Sequence, residues 1–482
     1  MQSAPPVAGR LDALFQLEAR GSSVQRELSA GLTTFLVMAY IIFVNPAILS
    51  FAGIPDLAGR GPEFGQALAA TCFVAGLMTL AMGLYANRPF AIAPGMGLNA
   101  VVAFQLVVGA GLDWPAAMGV IVLEGLVVTA LVLAGMREAV MLAIPSSLKH
   151  AIAVGIGFFI LFIGLINGGL VRVPIESAPV VDGQVAGPPA TPLALGGLDN
   201  WAVLLTLLGL GITLWAHARG WRFAMLIGIL SATVLGIGMN ALTGGAALPV
   251  GATLPEAILA LPDTGFLGLP GLAGIGGALG ALGLAGLLLT VFSLVLTDFF
   301  DTMGTVIGIS EQMGDVAEDG SVERIRPILL VDSLAAVAGG ALGASSATTY
   351  VESAAGVGVG GRTGLTSVVT GSLFLLAMFL SPVAGIVPPQ ATAPALILVG
   401  FLMSAGIRHI DWEDPGLALP ALLTMLIMPL TYSVTNGIGA GFIGFAAMRV
   451  FQGRGRELHP LMWTVAGAFA LYFLLPWLQA ML

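Results

Sequence analysis

The chain has 482 residues, 57% of them hydrophobic and only 9% charged, with a formal net charge of −9 and a single Cys. Soluble domains carry about 25% charged residues, so a fold this long with so few charges must turn its outer surface toward lipid. The lone Cys72 excludes a disulfide framework, and the lack of any sizeable basic patch excludes a nucleic acid partner.

Residues 1–29 are polar and Pro-containing, with no short apolar core followed by a small-residue cleavage site, so they read as a cytoplasmic segment and not a signal peptide. Apolar stretches long enough to cross a hydrocarbon core of about 30 Å then follow at 30–50, 66–86, 93–112, 116–135, 150–170, 201–218 and 222–243. A Gly-, Pro- and Ala-rich stretch, 244–275, precedes a second group at 276–308, 327–343, 345–361, 363–385, 392–407, 417–433 and 434–452. A last apolar stretch, 461–481, has no counterpart in the first half and can either span the membrane or lie along it.

With the N-terminus in the cytoplasm, threading these spans leaves only Arg60 and Arg172, of 17 basic residues, outside. That asymmetry supports both the spans and the orientation. Seven spans per half force the second half to be inverted, a common transporter plan. Ile144-Pro145-Ser146 leading into Ala151–Gly155, and Val387-Pro388-Pro389 leading into Ala395–Gly400, are a weak internal echo of it.

The third and tenth spans open with residues that form helix poorly. The third begins Phe90-Ala91-Ile92-Ala93-Pro94-Gly95-Met96-Gly97-Leu98-Asn99, the tenth Gly343-Ala344-Ser345-Ser346-Ala347-Thr348-Thr349-Tyr350-Val351-Glu352. Paired broken segments in inverted halves point to a substrate site, because irregular backbone at membrane depth must line a cavity or be buried in protein.

Acidic residues inside spans are the sharpest signal, since each costs about 2.5–3.5 kcal/mol at a helix centre and seldom faces lipid. Asp298 and Asp301 share one face of the eighth span, and Glu352 starts the helical half of the tenth. Basic residues fall only at span ends (Arg222, Arg449), which argues against buried ion pairs at mid-span. For Glu352, capping its own helix competes with a functional role. Asp332, near Arg324 and Arg326, reads at least as well as structural, and Glu124 as facing an interface between helices. Asn99 offers a donor and an acceptor to a heterocycle edge, or else caps a bent backbone. Asn45, before Pro46, reads as an end-of-span turn residue. The acidic run from Glu311 to Glu323 reads as a solvated cytoplasmic loop.

Enzyme signatures are absent. The only Lys, Lys149, follows Leu148 and forms no phosphate loop. His150, His217, His409 and His459 are scattered at span ends with no metal-ligand spacing, so neither a metal nor a cofactor is expected. A channel would call for a continuous polar stripe, whereas the polar residues concentrate at the two breaks.

Four motifs in order identify the chain as resembling the nucleobase/cation symporter-2 family, in its AzgA-like branch of adenine, guanine and hypoxanthine permeases. They are Gly31-Leu32-Thr33-Thr34-Phe35 with Met38-Ala39-Tyr40; Pro94-Gly95-Met96-Gly97-Leu98-Asn99-Ala100; Asp298-Phe299-Phe300-Asp301-Thr302 with Gly304-Thr305; and Thr348–Gly356 with Gly360-Gly361-Arg362-Thr363-Gly364. The resemblance runs from about residue 12 to 480.

It implies an all-α polytopic fold of fourteen spans in two inverted repeats, with short β-strands in spans 3 and 10. Core segments would cover 30–135 and 276–385, gate segments 136–243 and 386–452, with an extracytoplasmic loop at 244–275 and the C-terminal hydrophobic segment at 453–482. It implies a plasma-membrane homodimer that imports a purine nucleobase with a proton, sodium being less favoured. Asp298 and Glu352 would bind the base, with Asn99, Thr349 and Gly97 beside it. Asp301 would act with Asp298 and Glu352 in proton coupling. A same-fold carrier for uracil, xanthine or an anion is the alternative, and three carboxylates argue against an anion.

Overall fold

A computed structural model describes residues 7–135, 145–174, 180–181, 184–185, 191–197, 199–248, 250–255, 257–315 and 322–481. Arg137 and the middle of the acidic run, 316–321, lie outside the described residues.

In lipid a spanning segment must satisfy its own backbone, and the apolar runs accordingly form helices. A short α1 (Val7–Phe15) precedes α2 (Val24–Met38), α3 (Ile41–Leu49) and α4 (Phe64–Ala81). Strand β1 (Ile92–Pro94) leads into α5 (Met96–Ala100), which continues as wider π-helical turns over Val101–Gly109. Then come α6 (Trp114–Leu133), α7 (Ser146–Asn167), α8 (Trp201–Ala218) and α9 (Ala224–Thr243), with two-residue strands β2 (Val171–Arg172), β3 (Val180–Val181), β4 (Gln184–Val185) and β5 (Ala194–Leu195) between α7 and α8. The second half holds α10 (Pro270–Met313), α11 (Ile325–Leu342), β6 (Ala347–Thr349), α12 (Ser353–Val359), α13 (Gly364–Ala377), α14 (Ser381–Gly385), α15 (Pro389–Ser404), α16 (Pro415–Thr431), α17 (Val434–Phe451) and α18 (Pro460–Met481).

Among the described residues, eleven helical segments are long and apolar enough to cross a membrane. The expected spans at 93–112 and 417–433 fall on the shorter apolar helices Met96–Gly109 and Pro415–Thr431, and the C-terminal stretch on Pro460–Leu474. The expected tenth span reduces to a strand and a seven-residue helix, β6 and α12. The eighth is longer than expected: α10 has 44 residues and breaks at Gly283 (φ 65°, ψ 169°), a conformation open to Gly because it lacks a Cβ.

Packing sorts the helices into two groups. In one, α6 lies against α10 and α11, and α13 against α2 and α4; in the other, α7 lies against α15 and α16, α16 against α17, and α8 against α9 and α15. The breaks face each other in the first group. β1 pairs antiparallel with β6 in the register Ile92–Thr349, Ala93–Thr348 and Pro94–Ala347. A two-stranded ladder at membrane depth satisfies the backbone groups that Pro94 and the β-branched run leave outside a helix.

Asn45 and the acidic run differ from their sequence reading. Asn45 is buried inside α3, not at a turn; its Nδ2 donates to Thr71 Oγ1 (2.7 Å) and to Ala344 O (3.1 Å), tying α3 to α4 and to the approach to β6. Arg88, which reads as a flank residue, is fully buried and pairs with Asp315 (3.2 Å) and Glu323 (3.0 Å). Arg20 joins the same two carboxylates. The ends of the acidic run are therefore clamped to the first helix group instead of lying free in solvent.

Candidate functional site

The site grows from the strand pair. Thr79 Oγ1 on α4 donates to Ile92 O (3.0 Å) and accepts from Ile92 N (2.9 Å), holding β1 against its neighbour helix. Gly95 N donates to Ser346 O, Tyr350 N to Ala91 O, and the Tyr350 hydroxyl to Pro94 O. Ala91 N donates to Ser353 Oγ (2.9 Å) at the start of α12. These bonds fix the two breaks as one unit, so side chains just beyond them share a defined frame.

Behind β6 lies Asp332, fully buried on α11. Its Oδ1 accepts from Thr349 N (2.7 Å), Thr349 Oγ1 (2.8 Å) and Thr348 Oγ1 (3.4 Å), and its Oδ2 from Thr302 Oγ1 (2.7 Å). Charge-assisted bonds of this kind are the strong ones. Asp332 therefore anchors β6 to α10, the structural role its sequence position allowed. It also takes up both donors of Thr349, a residue expected to face substrate. Glu124 on α6 is buried nearby and accepts from Ser346 Oγ (3.2 Å) through one oxygen, while its Oε1 has no hydrogen-bond partner among the described residues.

In front of the strands stand the other acids. Asp298 is fully buried, and Asp301, one turn further along α10, is partly exposed. Asp301 lies within electrostatic reach of Glu352 and Asp332. Glu352 occupies the position before α12 but makes no cap bond with its side chain. Instead its Oε1 accepts the Tyr40 hydroxyl at 2.6 Å, so the capping alternative does not describe it. Thr302, next to Asp301, touches Thr348 of β6 at 2.7 Å, which brings the acidic turn of α10 to the strand pair.

Asn99 sits in the first helical turn after β1, fully buried, with neither amide atom hydrogen-bonded among the described residues. A buried unsatisfied amide costs about 1–3 kcal/mol, so its reading as a satisfied cap does not hold. Gly97 is close-packed: a Cβ there would come within 2.5 Å of Ile156 Cγ2 on α7, in the second helix group. The structure thus gives Gly97 a packing reason for being Gly.

Sequence reasoning passed over two residues. Tyr40 stood inside a motif with no assigned role, yet it holds Glu352. Glu27, buried on α2, accepts from Arg362 N, Thr366 N and Thr366 Oγ1 and so caps the start of α13. Gly364 in the same motif would clash with Gly83 O if it carried a Cβ. The run 360–364 is therefore a helix-start device 335 residues from its capping acid. No local pattern in the sequence could reveal that pairing.

Asp301, Glu352 and Tyr40 thus lie close to the junction of the two broken spans, with Asp298 on the same helix as Asp301. Among the described residues no group of three or more His, Cys, Asp or Glu could hold a metal ion.

The family profile described as Permease family matches residues 25–440. The chain belongs to that family. It is 38% identical over 464 residues to the guanine/hypoxanthine permease PbuG of Bacillus subtilis, covering 95% of this chain and 98% of PbuG. It is equally 38% identical over 465 residues to the adenine permease AdeP of Escherichia coli, covering 96% of each. The nucleobase-permease resemblance of its motifs is thus borne out along the whole chain. The transmembrane domain of the cyanobacterial bicarbonate transporter BicA has the same fold at a TM-score of 0.58 and 18% identity, covering 86% of this chain and 97% of that one. The protein is a multi-pass, mostly helical membrane permease.

Proposed function

We propose that this permease carries purine nucleobases, adenine or guanine and hypoxanthine, together with a proton, by moving the core group against the gate group. What supports the reading is the nearness of Asp301 to Glu352 and Asp332 beside the β1–β6 pair, with Asp298 one turn away on α10 and Asn99 in the first helical turn after β1. The names borne by relatives over nearly the whole chain, adenine permease and guanine/hypoxanthine permease, support the purine class.

In this reading Asp298 and Glu352 accept hydrogen bonds from ring N–H or exocyclic amine groups, and Asn99 pairs with the mixed donor and acceptor edge. Asp301, partly exposed and close to two other carboxylates, takes the proton. Tyr40 holds Glu352 in its accepting orientation. The clustering of basic residues supports a cytoplasmic N-terminus, so import runs toward the side that carries Arg88, Arg362 and Arg449.

The test is uptake of radiolabelled adenine, guanine and hypoxanthine into cells lacking their own nucleobase carriers. Asp298→Asn and Glu352→Gln should each abolish it while the chain still reaches the membrane. Wild-type-like uptake in either variant removes that residue from the site. Asp301→Asn should reduce accumulation against a gradient more than counterflow exchange, and an equal fall in both contradicts the coupling role.

A further inference from the structure

The stretch 244–275, which reads as a translocated Gly/Pro/Ala loop, is fastened at several points. Asn240 Nδ2 on α9 donates to Leu248 O (3.1 Å) and Ala252 O (3.3 Å), Ala252 N donates to Ile386 O (2.7 Å), and Ala260 N donates to Phe379 O (3.0 Å). Between and beside the last two ties, Leu254, Ile258, Leu259 and Leu261 are 65–88% exposed. A loop bathed in water seldom presents four large apolar side chains so close together.

Beneath it lies a crevice of about 660 Å³, lined by Phe35, Leu259, Leu261, Leu373, Leu376 and Leu380 among other apolar residues. Its walls, Val24–Leu49 and Gly364–Gly385, are both membrane-length helical segments. Phe35 stands 11 residues into the 26-residue segment, about 17 Å along it at a rise of about 1.5 Å per residue. That is near the middle of a hydrocarbon core of about 30 Å. Leu380 and the loop stand at the far end, away from the basic side. The crevice therefore covers the depth of one leaflet, closed at mid-membrane by the edge-to-face pair Phe35–Phe374 (centroids 5.1 Å apart).

We propose that this crevice holds one acyl chain of a bilayer phospholipid from the leaflet away from the basic side, strapped in place by residues 257–261. Its depth, its apolar lining and the exposed leucines above it are what an acyl chain under a short apolar strap requires. Because the loop is tied to Asn240 on α9 through Leu248 and Ala252 and to Phe379 after α13 through Ala260, the lipid lies where the two helix groups are linked outside the site.

The test is photolabelling in proteoliposomes with a phospholipid bearing a diazirine midway along one acyl chain, the adducts being mapped by peptide mass spectrometry. Adducts at 259–261 and 373–380 should exceed those at the exposed Leu207 and Leu208 of α8 about tenfold, the ratio given by about 1.4 kcal/mol of preference. The double variant Leu259→Asp/Leu261→Asp places charge at two strap positions that are largely exposed and line the crevice. It should bring the crevice adducts down to the α8 level while the α8 labelling, which reports an intact fold, stays unchanged. Even labelling of all exposed leucines would overturn the proposal, and so would a crevice shielded from lipid by a second copy of the chain.

Discussion

Glu352 accepts the Tyr40 hydroxyl at 2.6 Å, and that bond sets which of its lone pairs face the junction of the broken spans. A hydrogen bond to a charged group contributes about 1.5–3 kcal/mol. Tyr40→Phe should therefore weaken substrate binding by about tenfold or more while leaving expression intact, as read by competition binding on purified protein. Asn99 makes a second prediction of opposite sign for fold and function. Its buried amide has no partner among the described residues, so Asn99→Ala should leave thermal stability equal or higher while raising the KM for uptake. A drop in melting temperature of several degrees would mean that the amide serves the fold and not the solute.

At the scale of elements, the paired breaks are legible in the residues themselves: Pro94-Gly95 in one half and Ser345-Ser346 in the other mark where helix gives way. The bond between them is not, because register across 255 residues depends on tertiary contacts such as Asp332 with Thr348 and Thr349. Asp332 reads as a border residue because Arg324 and Arg326 are its near neighbours in the chain, yet its partners come from α10 and β6. Asp332→Ala should strip the strand of its anchor and leave buried hydroxyls unpaired, at about 1–3 kcal/mol for each. The expected result is a clear fall in melting temperature and in folded yield. Gly97 tests the contact between helix groups. Gly97→Ala drives a Cβ toward Ile156 Cγ2 and should cost about 1–3 kcal/mol of overpacking, with part of the loss restored by adding Ile156→Leu, which lacks that β-branch methyl.

At the scale of the whole molecule, composition alone establishes a membrane protein and the spacing of apolar stretches establishes its helices, since both follow from the thickness and dryness of the bilayer. The grouping of helices is legible only through resemblance, because side chains facing lipid and side chains facing another helix are alike apolar. Away from the site, a side-chain bridge joins the π-helical turns after α5 to α17: Gln105 Nε2 donates to Thr435 Oγ1 (2.7 Å) and its Oε1 accepts from Val434 N (3.0 Å). The ring of Tyr432 packs alongside against Phe104 and Phe159. If transport needs these elements to separate, a Gln105→Cys/Thr435→Cys pair, in a chain whose native Cys72 is buried, should stop uptake when oxidised and recover with reductant. Undiminished uptake in the oxidised protein would contradict movement at this bridge.

The most direct test of the account is uptake of labelled adenine, guanine, hypoxanthine, xanthine and uracil into carrier-deficient cells, with and without a protonophore. The account predicts entry of at least one of adenine, guanine and hypoxanthine, collapse of that entry with the protonophore, and its loss in Glu352→Gln. Transport of uracil or xanthine alone, or no transport by protein shown to reach the membrane, would contradict it.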